Sequence, residues 1–478
     1  MKTKIVLFLF LLLPGLNALA QSSQNALTLQ ECINIALENN LKIKRSLYNV
    51  ETYEINLLQS KMAFLPSVNL GGSYGSNFGR ALNPVSNLFI NRNSNTINIQ
   101  GSAALTLFNG FKLQNTFRQN KKDHEASNQD LAKAKNDVML NVATLYINVV
   151  FNKELFENSK YQLNSSEQQL TRITKQVDAG SLSLSNKLSQ EAQVATNEVN
   201  QINQENALNL SILQLKQAMQ LPASDPLDVV VPALDIQDLV ISETPEQVYS
   251  IALEAMPEIK SAQLKVESAK LALQASKGSL YPRLTLNGNT QSNYSSISNG
   301  PRYATDGTDV ARQIGFVGSS NEPVYSLVPN TYQVSSSYNE ADQLKDNLFK
   351  SVSLQLTIPL FNNYQTKGTV RRALVSEEIA KISEQETKNT LRQSIETAYN
   401  DAMAASKTYT SSLKQVNAQE EAYRMNKQRF EIGALSFVEY HVSENDLFRA
   451  KSDLTRAKYS FIFKKKVLDF YQGKPLEY

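Results

Sequence analysis

The sequence predicts a mainly α-helical, internally duplicated chain whose long helical hairpins accompany four strands with the pattern of a membrane β-barrel portion. Three observations lead there. Between Phe111 and Leu221 the only glycine is Gly180, between Thr369 and Gln472 the only glycine is Gly433, and neither interval holds a proline. Stretches without a breaker, rich in Ala, Leu, Gln, Glu, Lys and Asn, read as uninterrupted helix, and a lone mid-stretch glycine reads as the reversal of a hairpin. Second, Val142, Val149, Phe156, Leu163, Leu170 and Val177 recur every seven residues, as do Ile395, Ala402, Tyr409, Val416, Tyr423 and Phe430, each 253 positions later. A sustained heptad keeps one seam facing a neighbour only if the helices supercoil left-handedly. Third, after Pro66 and Pro282 the apolar period changes from helical to two.

The elements follow in order. Lys2 and Lys4 precede an apolar run from Ile5 to Leu13, and Ala18-Leu19-Ala20 supplies a small-x-small site, so residues 1–20 read as a secretory signal peptide. The run is shorter than the roughly 20 residues of a spanning helix. Thr28 to Glu31 and Thr244 to Gln247, 216 apart, match a capping box, the second with Pro245 at the first helical position. The offset persists through Ile35-Ala36-Leu37-Glu38 and Ile251-Ala252-Leu253-Glu254, then Lys61 and Lys277, Pro66 and Pro282. This is an internal duplication.

Val68, Leu70 and Gly72 alternate with polar or small residues, and so do Ile97, Ile99, Gly101, Ala103, Leu105 and Leu107. In the second copy Leu284, Leu286 and Gly288 are followed by Val352, Leu354, Leu356 and Ile358. Each copy therefore contributes a pair of amphipathic strands, about 67–107 and 283–360. The offsets differ by 253 − 216 = 37 residues, all in the second strand connection, about Gln291 to Lys350. Its Ser, Asn, Gly, Pro and Tyr content predicts a long solvated loop. Phe108-Asn109-Gly110-Phe111 and Phe361-Asn362-Asn363-Tyr364 end the strands and open the hairpins, 111–221 and 364–472. The expected organisation is a first repeat over 21–221, a linker over 222–245 in which Leu227 to Val231 adds a short strand, and a second repeat over 246–478.

Four amphipathic strands pose a physical problem. An open sheet leaves backbone groups unpaired, which lipid does not tolerate, so closure takes several copies of the chain. Three copies give twelve strands, within the range of membrane barrels. The alternative is a soluble sheet that packs its apolar face on helices. With no Trp in the chain, an interfacial belt would fall to Tyr74, Phe78, Phe108, Tyr281, Tyr294 and Phe361.

The leader, the two copies of short helix, helix, strand pair and long hairpin, and the runs Ala179-Gly180-Ser181-Leu182-Ser183 and Ile432-Gly433-Ala434-Leu435-Ser436 resemble the TolC family of outer-membrane efflux channels across nearly the whole mature chain. The resemblance implies a homotrimer, a twelve-stranded β-barrel in the outer membrane continued by an α-helical barrel across the periplasm. It implies an export duct of a tripartite efflux or type I secretion system, opened through a periplasmic adaptor and an inner-membrane pump of RND, ABC or MFS type. It places adaptor contact at the hairpin tips, on Gly180, Leu182, Ser183, Gly433, Leu435 and Ser436. An acidic gate position of the family falls on Glu439, with Asn186 as its first-copy equivalent. The next acidic position falls on Val442 and a basic latch residue on Leu435, departures that argue against a doubly acidic, strongly latched gate. Spacing adds that Glu439, Asp446 and Asp453 share one helix face, where rings of charge would favour cations if the face lines the pore.

Enzymatic chemistry has no candidate. No phosphate loop or nucleophile motif occurs, and no cofactor is implied. His124 and His441, the only histidines, lie in different hairpins without metal-ligand spacing and read as surface residues. The single cysteine, Cys32, reads as a buried apolar residue on a short helix. A formal charge of +3, of which Lys2 and Lys4 supply two, gives no nucleic-acid signal. The competing function is a secreted periplasmic coiled-coil scaffold or adaptor, which explains the hairpins but not the strand pairs.

Overall fold

The computed structural model describes residues 26–82, 88–231 and 241–474. The predicted leader, the linker segment 232–240 and the last four residues lie outside them. Contacts divide the described chain into two units. One takes residues up to Val50, Ala126–Ala262 and Ser383 onward, and the other takes Glu51–Glu125 and Gln263–Ile382.

The duplication is visible to the residue. Helices α1 (Leu29–Asn39) and α2 (Leu41–Met62) have counterparts 216 positions on in α5 (Pro245–Ala255) and α6 (Pro257–Gly278). The hairpin of α3 (Lys112–Asp178) and α4 (Leu184–Ala218) recurs 253 positions on as α8 (Gln365–Glu431) and α9 (Phe437–Tyr471). Both predicted capping boxes form, with the Thr28 and Thr244 hydroxyls accepting the N–H of Glu31 and Gln247. Each closes the first turn of a short helix whose apolar face is buried.

The first unit has two related cores. Cys32, Ile33 and Ala36 of α1 pack with Val142, Tyr146 and Val149 of α3 and Leu215 of α4. Val248, Ala252 and Ile259 pack with Leu391 and Ile395 of α8 and Leu468 of α9. Cys32 is fully buried as expected, and desolvation pushes its thiol up to about 12, so it stays an uncharged apolar filler. The heptad positions Val142, Val149, Ile395, Ala402 and Val416 are buried, and the others are half-buried. The linker contributes one parallel bridge, Leu27 to Val229, in place of a strand. It is fixed from the side by the Tyr146 hydroxyl, which donates to the Val230 carbonyl at 2.7 Å and lies 3.2 Å from that of Leu27.

The second unit holds a four-stranded antiparallel sheet. Strands β1 (Ser67–Asn77), β4 (Ser94–Phe108), β5 (Arg283–Ser295) and β8 (Phe349–Thr357) lie in the order β1-β4-β5-β8. The register sets apolar residue against apolar residue. Val68 faces Ala103, Leu105 faces Leu286, and Leu286 faces Leu354. Helix α7 meets one end of this face at Ser292, and the part formed by Val68, Leu70 and Val352 is open. Val68 is 75%, Leu70 81% and Val352 78% exposed, and β1 and β8 each present an unpaired edge. Of the expected belt residues, Tyr74, Phe78, Phe108, Tyr281 and Phe361 are exposed. Tyr294 is buried, with its hydroxyl held by Asn299 Nδ2, and is not a belt residue.

The strand connections depart from expectation. A short pair, β2 (Arg80–Leu82) and β3 (Phe89–Asn91), fills the first. The second is not a solvated loop. It is a long hairpin, β6 (Arg302–Val317) with β7 (Glu322–Ser335), followed by the helix α7 (Glu340–Asp346). Val310, Ile314, Phe316, Val324, Tyr325, Val328 and Tyr332 supply the β-branched and aromatic content that favours strands. Three register shifts break their alternation, which hides the hairpin from a period-two reading. Helix α7 is tied to β5, where Ser292 donates to the Leu344 carbonyl at 2.5 Å and Gln343 Oε1 accepts the Ser295 N–H at 3.0 Å.

Candidate functional site at the hairpin tips

Both long helices end in the same way. Gly180 (φ +74°) and Gly433 (φ +76°) take the left-handed conformation that L side chains avoid. The Gly180 N–H bonds the Val177 carbonyl and the Ser181 N–H the Gln176 carbonyl, while the Gly433 and Ala434 N–H groups bond Phe430 and Arg429. This doubly bonded C-terminal turn reverses the chain within a few residues. The return helices differ. Ser436 and Glu439 form a capping box at α9, whereas Ser183 makes no side-chain cap at α4, and Asn186 stands where Glu439 would be. The Ser436 hydroxyl and N–H, both donating to Glu439, hold its carboxyl below the ordinary carboxylate range.

Between the two tips lies a cleft of about 670 Å³. Leu182, Asn186, Gly433, Leu435 and Ser436 line it, together with Arg172 and Lys427, two cations that the sequence reading did not single out. Its floor is aromatic. Phe430 stacks on Tyr440 with ring centroids 4.8 Å apart, and the Tyr423 and Tyr440 hydroxyls meet at 3.0 Å. Burial, and for Tyr440 next the Glu444 carboxylate, pushes both phenols above their ordinary value, so they stay neutral. Tyr423 and Phe430 were visible beforehand as heptad positions. Gly180 and Ser183 lie exposed on the first tip outside the cleft lining, Glu439 and Asp446 are exposed on α9, and Asp453 is half-buried.

Behind the floor is a cluster that sequence reasoning missed. His441, read as a surface residue, is only 8% exposed. Its ring packs edge-on against Phe437 with centroids 4.2 Å apart, its Nε2 lies 2.5 Å from Gln190 Oε1, and its Nδ1 lies 3.2 Å from Glu444 Oε2. A lone histidine between Tyr440 and Val442 carries no sequence signal of its partners, and the one at Nε2 comes from Gln190 on α4. His124 is half-buried. Among the described residues no group of three or more His, Cys, Asp or Glu side chains is arranged to hold a metal ion. No described helix is long and apolar enough to cross a membrane.

The comparison with known proteins settles the class of the molecule. The family model for outer membrane efflux proteins matches residues 32–219 and 248–465, one match over each repeat. The chain belongs to the outer membrane efflux protein family. A relative in this family, outer membrane efflux protein BepC of Brucella suis, is 22% identical over 439 residues, covering 91% of this chain and 83% of that protein. Similar solved structures include the outer-membrane protein VceC of Vibrio cholerae (TM-score 0.71, 13% identity, 94% of this chain and 97% of that one). The CmeC outer membrane channel of Campylobacter jejuni is similar too (TM-score 0.71, 17% identity, 93% of this chain and 84% of that one). The fold is thus that of TolC-like efflux channels, and members of the family are channels, not enzymes. As an outer membrane efflux protein, this chain is placed in the outer membrane and extends into the periplasm.

Proposed function

We propose that the chain is one third of a passive export duct, a homotrimer that works in a tripartite efflux or type I secretion system. The observation that carries this reading is the uncovered apolar face of the β1-β4-β5-β8 sheet, flanked by two free edges. In water such a face and such edges drive aggregation, and in lipid the edges must be paired. Copies joined edge to edge satisfy both demands, and three copies of four strands make a barrel of the usual kind. The same observation disfavours a soluble scaffold, which would cover the face.

The hairpin tips are the proposed docking site for a periplasmic adaptor, which would link the duct to an inner-membrane pump. Gly180, Leu182, Ser183, Gly433, Leu435 and Ser436 present small or apolar surface around the tip cleft, and a tight glycine turn lets another backbone come close. Glu439, Asp446 and Asp453 are the proposed lumen charges, with Asn186 the neutral counterpart of Glu439.

Conductance of the purified protein in planar bilayers tests the duct. Stepwise ion conductance is expected, with cation preference falling after Asp446→Asn and Asp453→Asn together. A protein that leaves the envelope without detergent and conducts nothing contradicts the reading, and unchanged selectivity in the double variant removes the proposed charge rings.

A further inference from the structure

The buried cluster behind the tip cleft joins the two hairpins of one chain. Gln190 is on α4, Ser165 and Ser166 are on α3, and His441 and Glu444 are on α9. Gln190 Nε2 donates to the Ser166 carbonyl at 2.8 Å, which fixes the amide orientation and leaves Oε1 as the atom 2.5 Å from His441 Nε2. A carboxamide oxygen only accepts, so the hydrogen-bond network assigns the ring proton to Nε2. A neutral imidazole then has only a lone pair at Nδ1. That atom is buried without a hydrogen-bond partner, and the atom facing it at 3.2 Å is Glu444 Oε2. An ionised carboxylate has only lone pairs to oppose it, and the other oxygen, Glu444 Oε1, accepts from Ser165 at 3.3 Å.

The opposition disappears if the pair binds one more proton. Placed on Nδ1 it makes an imidazolium beside a carboxylate, and placed on Glu444 it makes a carboxylic acid donating to Nδ1; the two forms differ only in the position of that proton. Other titratable or charged groups approach the site from three elements. On α9 and α8 these are Tyr440 and Tyr423, both held neutral, and on α3 the cation is Arg172, which acts on the two phenols. From α4 the site is met by the uncharged Gln190.

We propose that His441 and Glu444 form a proton-dependent clasp between the two hairpins, taking up one proton when they engage Gln190 and Ser165 and losing it when the hairpins part. The sign follows from mass action: acid favours the engaged tip, and rising pH favours release. The clasp is a property of one folded chain, and only its consequence for opening rests on the channel reading.

The whole chain holds two histidines, so ¹⁵N-histidine NMR of the full-length protein in detergent resolves the site, with His441→Gln assigning its signals by their loss. At pH 7 either the pyridine-type Nδ1 signal of His441 is expected to be absent, with the proton on the ring, or the ¹³C signal of the Glu444 carboxyl, assigned by its loss in Glu444→Gln, is expected to be that of the acid. A pyridine-type Nδ1 together with an ionised Glu444 carboxylate in the wild type at pH 7 overturns the proposal. In bilayers the open-to-closed ratio should rise with pH by up to about tenfold per unit, the limit for one linked proton per clasp. Glu444→Gln, with an unchanged melting temperature, should be flat, and a variant as steep as the wild type overturns the link to opening. Absence of conductance in every variant would count against the channel and leave the NMR result on the proton standing.

Discussion

At the scale of the residue, hydrogen bonds decide what the apolar pattern leaves open. The Tyr146 hydroxyl donates to the Val230 carbonyl, where the segment after the first repeat crosses α3. Tyr146→Phe keeps the ring in its buried place and orphans that carbonyl, so unfolding should be easier by about 1–3 kcal/mol in denaturant titration. Glu439 illustrates a charge tied to a helix start. Its carboxyl is held below the ordinary range by the two Ser436 donors, so the stabilisation is present above the unfolded carboxylate value and is lost as pH falls through the folded one. Hydrogen-exchange protection of the first turn of α9 should therefore drop in acid in the wild type and stay level in Glu439→Gln, which caps without ionising. This acid effect has the opposite sign to the clasp one turn further on. Cys32 was legible in the sequence because its helix is amphipathic. His441 was not, because its partner Gln190 lies 251 positions away.

At the scale of the element, the long helices were legible because nothing interrupts them. One glycine per hairpin marks its reversal, and the offsets of 216 and 253 recover the boundaries of all eight repeat helices. The four main strands were legible from their alternation, with β1 and β5 directly after a proline. The β6–β7 hairpin was not, because its bulges break the alternation and its composition resembles a loop. The sheet makes a sharp comparison possible between neighbouring residues. Leu354 pairs with Leu286 on the apolar face, and Ser353 pairs with Asn287 on the other. An arginine on a lipid-facing strand near mid-membrane costs about 2–4 kcal/mol, whereas one facing the lumen is tolerated. Leu354→Arg should thus deplete the protein from purified outer membrane while Ser353→Arg leaves the amount close to wild type. Equal loss in both would mean the two faces meet the same surroundings.

At the scale of the whole molecule, the chain is incomplete by itself. Its helical cores are satisfied internally, with Ile395, Leu215 and Val142 fully buried, but its sheet ends in two open edges and leaves its apolar face bare. Of the tip residues named from the sequence, Leu182, Gly433, Leu435 and Ser436 line one cleft. The central claim is that the missing contacts are supplied by two further copies. The most direct test is the native mass of the protein extracted in detergent from purified outer membrane. A mass of three chains is predicted, and a monomer released without detergent would contradict the account.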